Sequence, residues 1–192
     1  MLLGHSWGAY CAGSVLNLHP DVKAVAMLSG FNASTDIIMV QGKTLVGDAI
    51  GLFKPYIYLY EFMKFGACSQ YDCEGGFGTS AAGIMIIHSM DDDTVPPEVS
   101  YATFKQRHKD DERFVFAEFE DHGHERIFYS DDARRYRESF NNSVVEHTAS
   151  LDTELMPEMK IQYINETLDK KQYYELDMNL MYSMLAFFNK HL

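Results

Sequence analysis

The chain has 192 residues, of which 46% are hydrophobic, and a formal net charge of −12 at pH 7. This length fits one domain over residues 1–192 with a substantial core, and the acidic balance disfavours binding to nucleic-acid phosphates or to an anionic membrane surface. Because the sequence has no apolar run of about 18 residues and its three cysteines form neither a disulfide framework nor a zinc-ligand pattern, we expect a cytoplasmic protein without a membrane span.

Two leucines at the start of the chain run into the sequence Gly-His-Ser-Trp-Gly at residues 4–8. A Gly-x-Ser-x-Gly pattern is typical of a sharp strand-to-helix turn that presents a serine hydroxyl at the carboxyl end of a parallel sheet, although an ordinary turn also fits it. We expect side chains at Gly4 and Gly8 to crowd this turn. The pattern makes Ser6 a candidate nucleophile and the backbone N–H of Trp7 a candidate oxyanion donor.

Only three residues precede the turn, whereas strands in sheets have about five or six residues and such a strand has neighbouring βα units. We therefore expect either the carboxyl-terminal portion of a longer protein or a mis-assigned start, the alternative being an unrelated architecture. The first strand then has an unpaired apolar edge, and we expect self-association through it.

Further along the chain, residues 22–29 predict a buried strand, and the small residues of the preceding helix predict close packing on the sheet. Residues 35–66 are rich in apolar and aromatic side chains at helical spacing, which Pro55 is expected to divide into two segments. They are either a lid or acyl-binding wall beside the serine, or ordinary crossover helices. Residues 68–82 are predicted to be a loop.

The second half begins with a predicted strand over 83–88, followed by a helix that Pro97 starts and that continues to Lys109. A strand is predicted over 114–119 and a helix from an N-cap at Ser130 towards His147. Residues 148–174 have no clear pattern, and an amphipathic helix over 177–191 ends the chain. The alternation predicts an α/β fold with a doubly wound, mostly parallel sheet and helices on both faces.

Two further residues complete a possible catalytic set with the serine. Asp92 follows the apolar strand over 83–88, and His124 follows the next strand. Since the carboxyl ends of parallel strands meet at one edge of a sheet, Ser6, Asp92 and His124 are expected to lie together. A serine nucleophile needs a base such as histidine and an acid that orients the base, so this order of residues predicts acyl transfer.

The segments at 4–8, 88–96 and 123–124 resemble the three catalytic signatures of the α/β-hydrolase superfamily, in its esterase, lipase and serine-peptidase-like branches. In that superfamily the acid is commonly followed three residues later by Val-Pro, which selects Asp92 while Asp91 and Asp93 remain alternatives. The histidine typically follows glycine, which selects His124 over His122. The other histidines near these segments, at positions 5 and 88, are expected to bond to the backbone.

The resemblance implies a serine hydrolase that cleaves a carboxylic ester or a related acyl bond of a small-molecule substrate, without a metal or organic cofactor. An amide or peptide hydrolase with the same triad is the first alternative. The resemblance also implies earlier strands and a loop that donates a second oxyanion N–H, which this sequence does not include. A non-catalytic relic or interaction module is therefore the second alternative.

Overall fold

The computed structural model describes residues 1–149 and 156–192. The chain divides into two compact units, residues 1–127 with 184–192 and residues 128–183. The first unit contains four strands, each of which is parallel to its neighbours in the order β1-β2-β3-β4. They are β1 Leu2–His5, β2 Ala24–Leu28, β3 Gly83–Ser89 and β4 Phe114–Phe119.

Continuous apolar sequence explains the two inner strands, because every residue of β2 and β3 is buried. The strands predicted at 22–29, 83–88 and 114–119 are thereby confirmed, as is the α/β class with a parallel sheet. β1 pairs with β2 through Leu2 and Val25 and lies at the edge of the described sheet. Self-association through that edge stays a prediction.

The helix that follows β1, α1 Trp7–Ser14, packs closely on the sheet through the small residues expected for this role. Ala9, Ala12 and Gly13 are buried. A Cβ atom at Gly13 would lie 3.0 Å from Met27 Sδ on β2 and 2.6 Å from Cys73 Sγ. Close packing here fixes the start of α1 relative to the carboxyl end of the sheet.

The apolar series after β2 forms two helices, α2 Ser34–Val46 and α3 Ile50–Phe65, joined by a 3₁₀ turn over Gly47–Ala49. The expected division at Pro55 is wrong, because the break lies at Gly47, whose φ of 63° is left-handed. Pro55 lies inside α3. Its ring fixes φ near the helical value, so the proline removes one N–H donor without turning the chain.

Residues 68–82 are not the predicted loop. A 3₁₀ helix over Gly66–Gln70 precedes α4 Cys73–Thr79, whose N-cap Asp72 accepts a hydrogen bond from the N–H of Gly75 at 2.7 Å. Packing overrides the low helix propensity of glycine here, since a Cβ at Gly76 would lie 2.4 Å from the carbonyl oxygen of Gly13.

The helix predicted from Pro97 to Lys109 is two pieces, a 3₁₀ turn over Pro97–Val99 and α5 Tyr101–His108. Ser100 separates them with φ −139° and ψ −83°, which are not helical angles. Proline therefore starts a helical turn as expected, but the backbone changes direction before the longer helix begins.

The second unit is helical, with α6 Asp131–Thr148, α7 Met156–Thr167 and α8 Lys170–Tyr173. The predicted N-cap is confirmed, because the Ser130 hydroxyl accepts a hydrogen bond from the N–H of Ala133 at 3.1 Å. The predicted last helix is α9 Met178–Lys190. Residues 150–155 of the unassigned stretch lie outside the described residues. No helix within the described ranges is both long and apolar enough to cross a membrane.

Candidate active site

The predicted strand-to-helix turn lies between β1 and α1, with Ser6 at its apex. Ser6 has φ 55° and ψ −120°, a backbone conformation that is strained for a residue with a side chain. Its N–H donates to the carbonyl of Leu28 at 2.9 Å, and its own carbonyl accepts from the N–H groups of Ala9 and Tyr10 at 3.0 and 3.1 Å. Hydrogen bonds to the sheet and to the helix therefore hold the strained serine in place.

The two glycines of the turn have different roles. A Cβ at Gly4 would lie 2.1 Å from the carbonyl oxygen of Gly8, so this position has no room for a side chain. A Cβ at Gly8 would meet nothing within 4 Å, and the expectation of crowding there is wrong. The strand approaches the helix closely where Gly4 meets the backbone of Gly8. Only Gly4 must therefore be glycine for steric reasons.

The structure brings the three predicted residues Ser6, His124 and Asp92 into one chain of contacts. Ser6 Oγ lies 2.9 Å from His124 Nε2, and His124 Nδ1 lies 2.8 Å from Asp92 Oδ2. With Nδ1–H donating to the carboxylate, the Nε2 lone pair accepts a hydrogen bond from the Ser6 hydroxyl, which is the arrangement that a general base requires. The His124 side chain is largely buried and that of Asp92 fully buried, which strengthens both contacts.

Asp92 divides its two carboxylate oxygens between the histidine and its own loop. Oδ1 accepts from the N–H groups of Thr94 and Val95 at 3.0 and 2.8 Å, while Oδ2 faces His124. Burial is the largest single influence and would raise the pKa of Asp92, but the hydrogen bonds from His124 and Val95, with the charge interactions of His124 and His88, together outweigh it. The pKa is lowered, so the group is a carboxylate at neutral pH.

Within the part of the chain that the structure describes, the neighbouring aspartates Asp91 and Asp93 have no hydrogen bond to His124. Asp91 Oδ1 accepts from the Ser89 hydroxyl and from the N–H of Gly123 at 2.8 Å, which ties the loop after β3 to the loop after β4. Asp93 is exposed and receives a hydrogen bond from Thr94. The geometry therefore favours Asp92 over both alternatives as the acid, and it gives Asp91 a positioning role that sequence reasoning missed.

Two histidines support the same loops, His88 fully buried and His5 half-buried, and both bond to backbone carbonyls as expected. His5 Nε2 donates to the carbonyl of His124 at 2.8 Å. His88 Nε2 donates to the carbonyl of Val95 at 2.8 Å and lies 3.5 Å from Asp92 Oδ2. Burial is the main cause that lowers the pKa of each imidazole. Both imidazoles are therefore neutral at pH 7, and their hydrogen bonds support the loops that carry Asp92 and His124.

Trp7 is the first residue of α1, so its N–H has no carbonyl partner within the helix. This donor lies directly after the nucleophile, at the positive end of the helix dipole. The indole packs edge-on against Phe31 at a ring-centroid distance of 4.9 Å, and the residue is 49% exposed. Among the described residues, no group of three or more His, Cys, Asp and Glu side chains is arranged to hold a metal ion.

A comparison with models of protein families agrees with this architecture. The family model described as the prolyl oligopeptidase family matches residues 1–143. A comparison with curated protein sequences found no significant match.

Two solved structures are similar to parts of the chain. Acetyl xylan esterase 1 from Thermoanaerobacterium sp. JW/SL YS485 is 19% identical, with a TM-score of 0.43 over 64% of this chain and 39% of the esterase. A puromycin-hydrolyzing peptidase from Mycobacterium tuberculosis is 16% identical, with a TM-score of 0.42 over 64% of this chain and 18% of the peptidase. The chain thus corresponds to less than half the length of either protein. Because the family model covers most of its residues, the chain belongs to the prolyl oligopeptidase family, whose members are serine hydrolases with an α/β-hydrolase fold.

Proposed function

We propose that this chain is a serine hydrolase that cleaves a carboxylic ester or a related acyl bond of a small molecule, using Ser6 as nucleophile. The supporting observation is the continuous contact from Ser6 Oγ through His124 to the buried Asp92 carboxylate. A strained serine at the start of a helix, with an N–H donor in the next residue, adds to this support. A cytoplasmic location remains part of the proposal.

In the proposed reaction, His124 Nε2 takes the proton of Ser6 as Oγ forms a bond to the acyl carbon. The carbonyl oxygen becomes an oxyanion that the N–H of Trp7 stabilises, while Asp92 stabilises the imidazolium. His124 then gives its proton to the leaving alkoxide, the bond to the alcohol breaks and an acyl-serine remains. Water attacks this ester with His124 as base, and the acid leaves as Ser6 recovers its proton.

Labelling with a fluorophosphonate probe tests the proposal, since the probe reacts with an activated serine. We expect one adduct, located on Ser6 by peptide mass spectrometry, that is lost in Ser6→Ala and in His124→Ala. Ser14→Ala, at the other end of α1, is the matched control and keeps the adduct. A folded chain that the probe leaves unlabelled would instead support the non-catalytic alternative.

An amide or peptide hydrolase is the second candidate, and the matching family model, which describes oligopeptidases, favours it. The triad chemistry is the same, but the leaving group is an amine that must be protonated as the bond breaks. Turnover of an ester and an anilide with the same acyl group separates the two candidates. A chain that cleaves the anilide as readily as the ester is a peptidase-like enzyme.

A further inference from the structure

A cavity of about 400 Å³ lies beside the first turn of α1, between this helix and the helices α2 and α3. Its volume is within the range of small-molecule binding sites. The wall is mainly aromatic and apolar and includes Trp7, Tyr10, Ile38, Tyr60 and Phe65. Ser6 is not itself part of this wall, but Trp7, the residue that directly follows it, is.

One charged side chain lines this apolar cavity. Glu61 is only 4% exposed, and within the described part of the chain its buried Oε2 atom has no hydrogen-bond partner. It is also the one buried residue of α3, whose apolar neighbours Tyr60 and Phe62 are exposed. The helix thus buries a carboxylate while the aromatic rings next to it in sequence stay more than half exposed, the reverse of the usual arrangement.

A buried acceptor without a partner destabilises the folded protein, and a buried carboxylate does so more strongly than a neutral group. The same group is favourable when a ligand supplies the missing donor. A cationic N–H donor meets both requirements, because it pairs with the charge and completes the hydrogen bond. Aromatic side chains around the carboxylate add an attraction for cations.

We propose that this cavity binds the ammonium group of an amine with an apolar arm, which donates a hydrogen bond to Glu61 and packs on the aromatic wall. Anionic ligands are disfavoured by the carboxylate, and neutral ligands gain the packing without the charge pairing. If the proposed hydrolase function holds, on which this extension rests, the preferred acyl substrates carry an amine that occupies this cavity.

Fluorescence of Trp7 tests the proposal directly, because Trp7 is the only tryptophan in the sequence and lines the cavity. The probes are phenethylamine, which is an ammonium ion at neutral pH, and phenethyl alcohol, which has the same arm without the charge. Both are titrated into the Ser6→Ala chain, so that no acyl transfer contributes. We expect the ammonium to bind about tenfold more tightly, a difference of about 1.4 kcal/mol.

Glu61→Gln should abolish this preference and leave the affinity for phenethyl alcohol unchanged, which also shows that the variant cavity is folded. Glu112→Gln, which removes the same charge at an exposed turn, is the matched control and should keep the preference. Equal binding of the two probes, no binding of the ammonium, or a preference that survives Glu61→Gln would each overturn the proposal.

Fluorophosphonate labelling of the chain with Ser6 intact separates this inference from the proposed function. A chain that prefers the ammonium through Glu61 but is not labelled retains the binding site and loses the hydrolase proposal. A chain that is labelled but shows no ammonium preference remains a hydrolase and loses this inference.

Discussion

The loops at the carboxyl end of the sheet and the hairpin of helices α2 and α3 differ in how their polar and apolar groups are paired. At the sheet, the Asp92 carboxylate is fully buried and both of its oxygens accept hydrogen bonds. In the hairpin, large apolar side chains face solvent, with Leu45 84% and Met63 77% exposed, while the Glu61 carboxylate is buried.

The two regions have the properties that two different tasks require, namely acyl transfer at the sheet and binding of a ligand or partner at the hairpin. Acyl transfer needs atoms held within a few tenths of an ångström, and parallel strands with buried, hydrogen-bonded loops provide that precision. Recognition needs surface that is complementary to something else, and a large exposed apolar patch is typical of such a surface. The same family fold thus carries a buried carboxylate with hydrogen bonds to both oxygens, at Asp92, and a helix pair with exposed apolar side chains and a buried Glu61 Oε2 atom that has no hydrogen-bond partner among the described residues.

The largest expected effect is the loss of kcat when Asp92, the proposed acid of the triad, is replaced. Asp92→Asn leaves the shape of the loop but no longer fixes the Nδ1–H tautomer of His124 or stabilises the imidazolium. By analogy with other serine triads, we expect a loss of about 10⁴-fold in kcat. Initial rates on an activated ester measure it. Asp93→Asn changes an exposed neighbour, so its kcat should stay within about twofold of that of the unmodified chain, a free-energy difference well below 1 kcal/mol. Equal losses of kcat in both variants would show that Asp92 is not the acid.

Sequence patterns predicted the placement of the three candidate residues in this region because its determinants are local. A serine between spaced glycines specifies the turn, and continuous apolar runs specify β2 and β3. Polar residues directly after such strands must lie at one edge of the sheet, which places Asp92 and His124 near Ser6. The positioning contacts of Asp91 and His88 were not predictable in the same way, since they depend on loop conformations that the spacing does not determine.

In the hairpin of α2 and α3, sequence patterns do not predict which residues are buried. An apolar series on all sides of a helix, as in α3, does not select a buried face, so the burial of Glu61 depends on tertiary packing. The break at Gly47 and the continuity through Pro55 follow from backbone angles that several sequences permit. In α4, Gly76 permits close contact with Gly13 of α1, and this tertiary packing compensates for the low helix propensity of glycine.

The second prediction concerns stability at the turn. Gly4→Ala places a Cβ against the Gly8 carbonyl, and overpacking of this kind lowers the free energy of unfolding by about 1–3 kcal/mol or more. Gly8→Ala has open space in a helix and should raise it by about 0.5–1 kcal/mol. Urea unfolding of both variants measures the contrast. Equal destabilisation would mean that both glycines are needed for space, as the sequence alone suggested.

A third prediction tests the Glu61 carboxylate, whose Oε2 atom has no hydrogen-bond partner in the described ranges of the chain. Glu61→Met removes a buried group without a hydrogen-bond partner at Oε2 and fills similar volume, so the free energy of unfolding should rise by about 1–3 kcal/mol. Glu112→Met, at an exposed turn, should change it by less than about 0.5 kcal/mol. If Glu61→Met destabilises the protein in urea, the carboxylate has a stabilising partner and the contrast between the two regions disappears.

The fourth prediction uses pH to probe the histidine supports. Burial lowers the pKa of His88 from 6.5, so the folded state binds fewer protons than the unfolded state. Its contribution to stability is therefore present above pH 6.5 and is lost as pH falls through the lowered pKa. His88→Gln keeps an N–H donor for Val95 and removes the titration. We expect a shallower fall of unfolding free energy with acidification, by at most about 1.4 kcal/mol per pH unit.

His19, which is exposed, provides the comparison for that measurement. His19→Gln should leave the pH dependence of unfolding as it is in the unmodified chain. His5 behaves like His88 in sign, since burial lowers its pKa as well, and so part of the acid sensitivity should persist in His88→Gln. A variant whose pH profile matches that of the unmodified chain would show that His88 is charged in the folded state.

The smallest effect on stability is expected at the exposed apolar groups. Leu45→Gln and Met63→Gln should change the free energy of unfolding by less than about 0.5 kcal/mol, because neither side chain is buried. Both should reduce self-association measured by light scattering if copies of the chain associate through the hairpin. Leu3→Lys places a charge on the edge strand β1 and should reduce it instead if strand pairing is responsible. If the unmodified chain self-associates as predicted, the variant that is monomeric identifies the surface responsible.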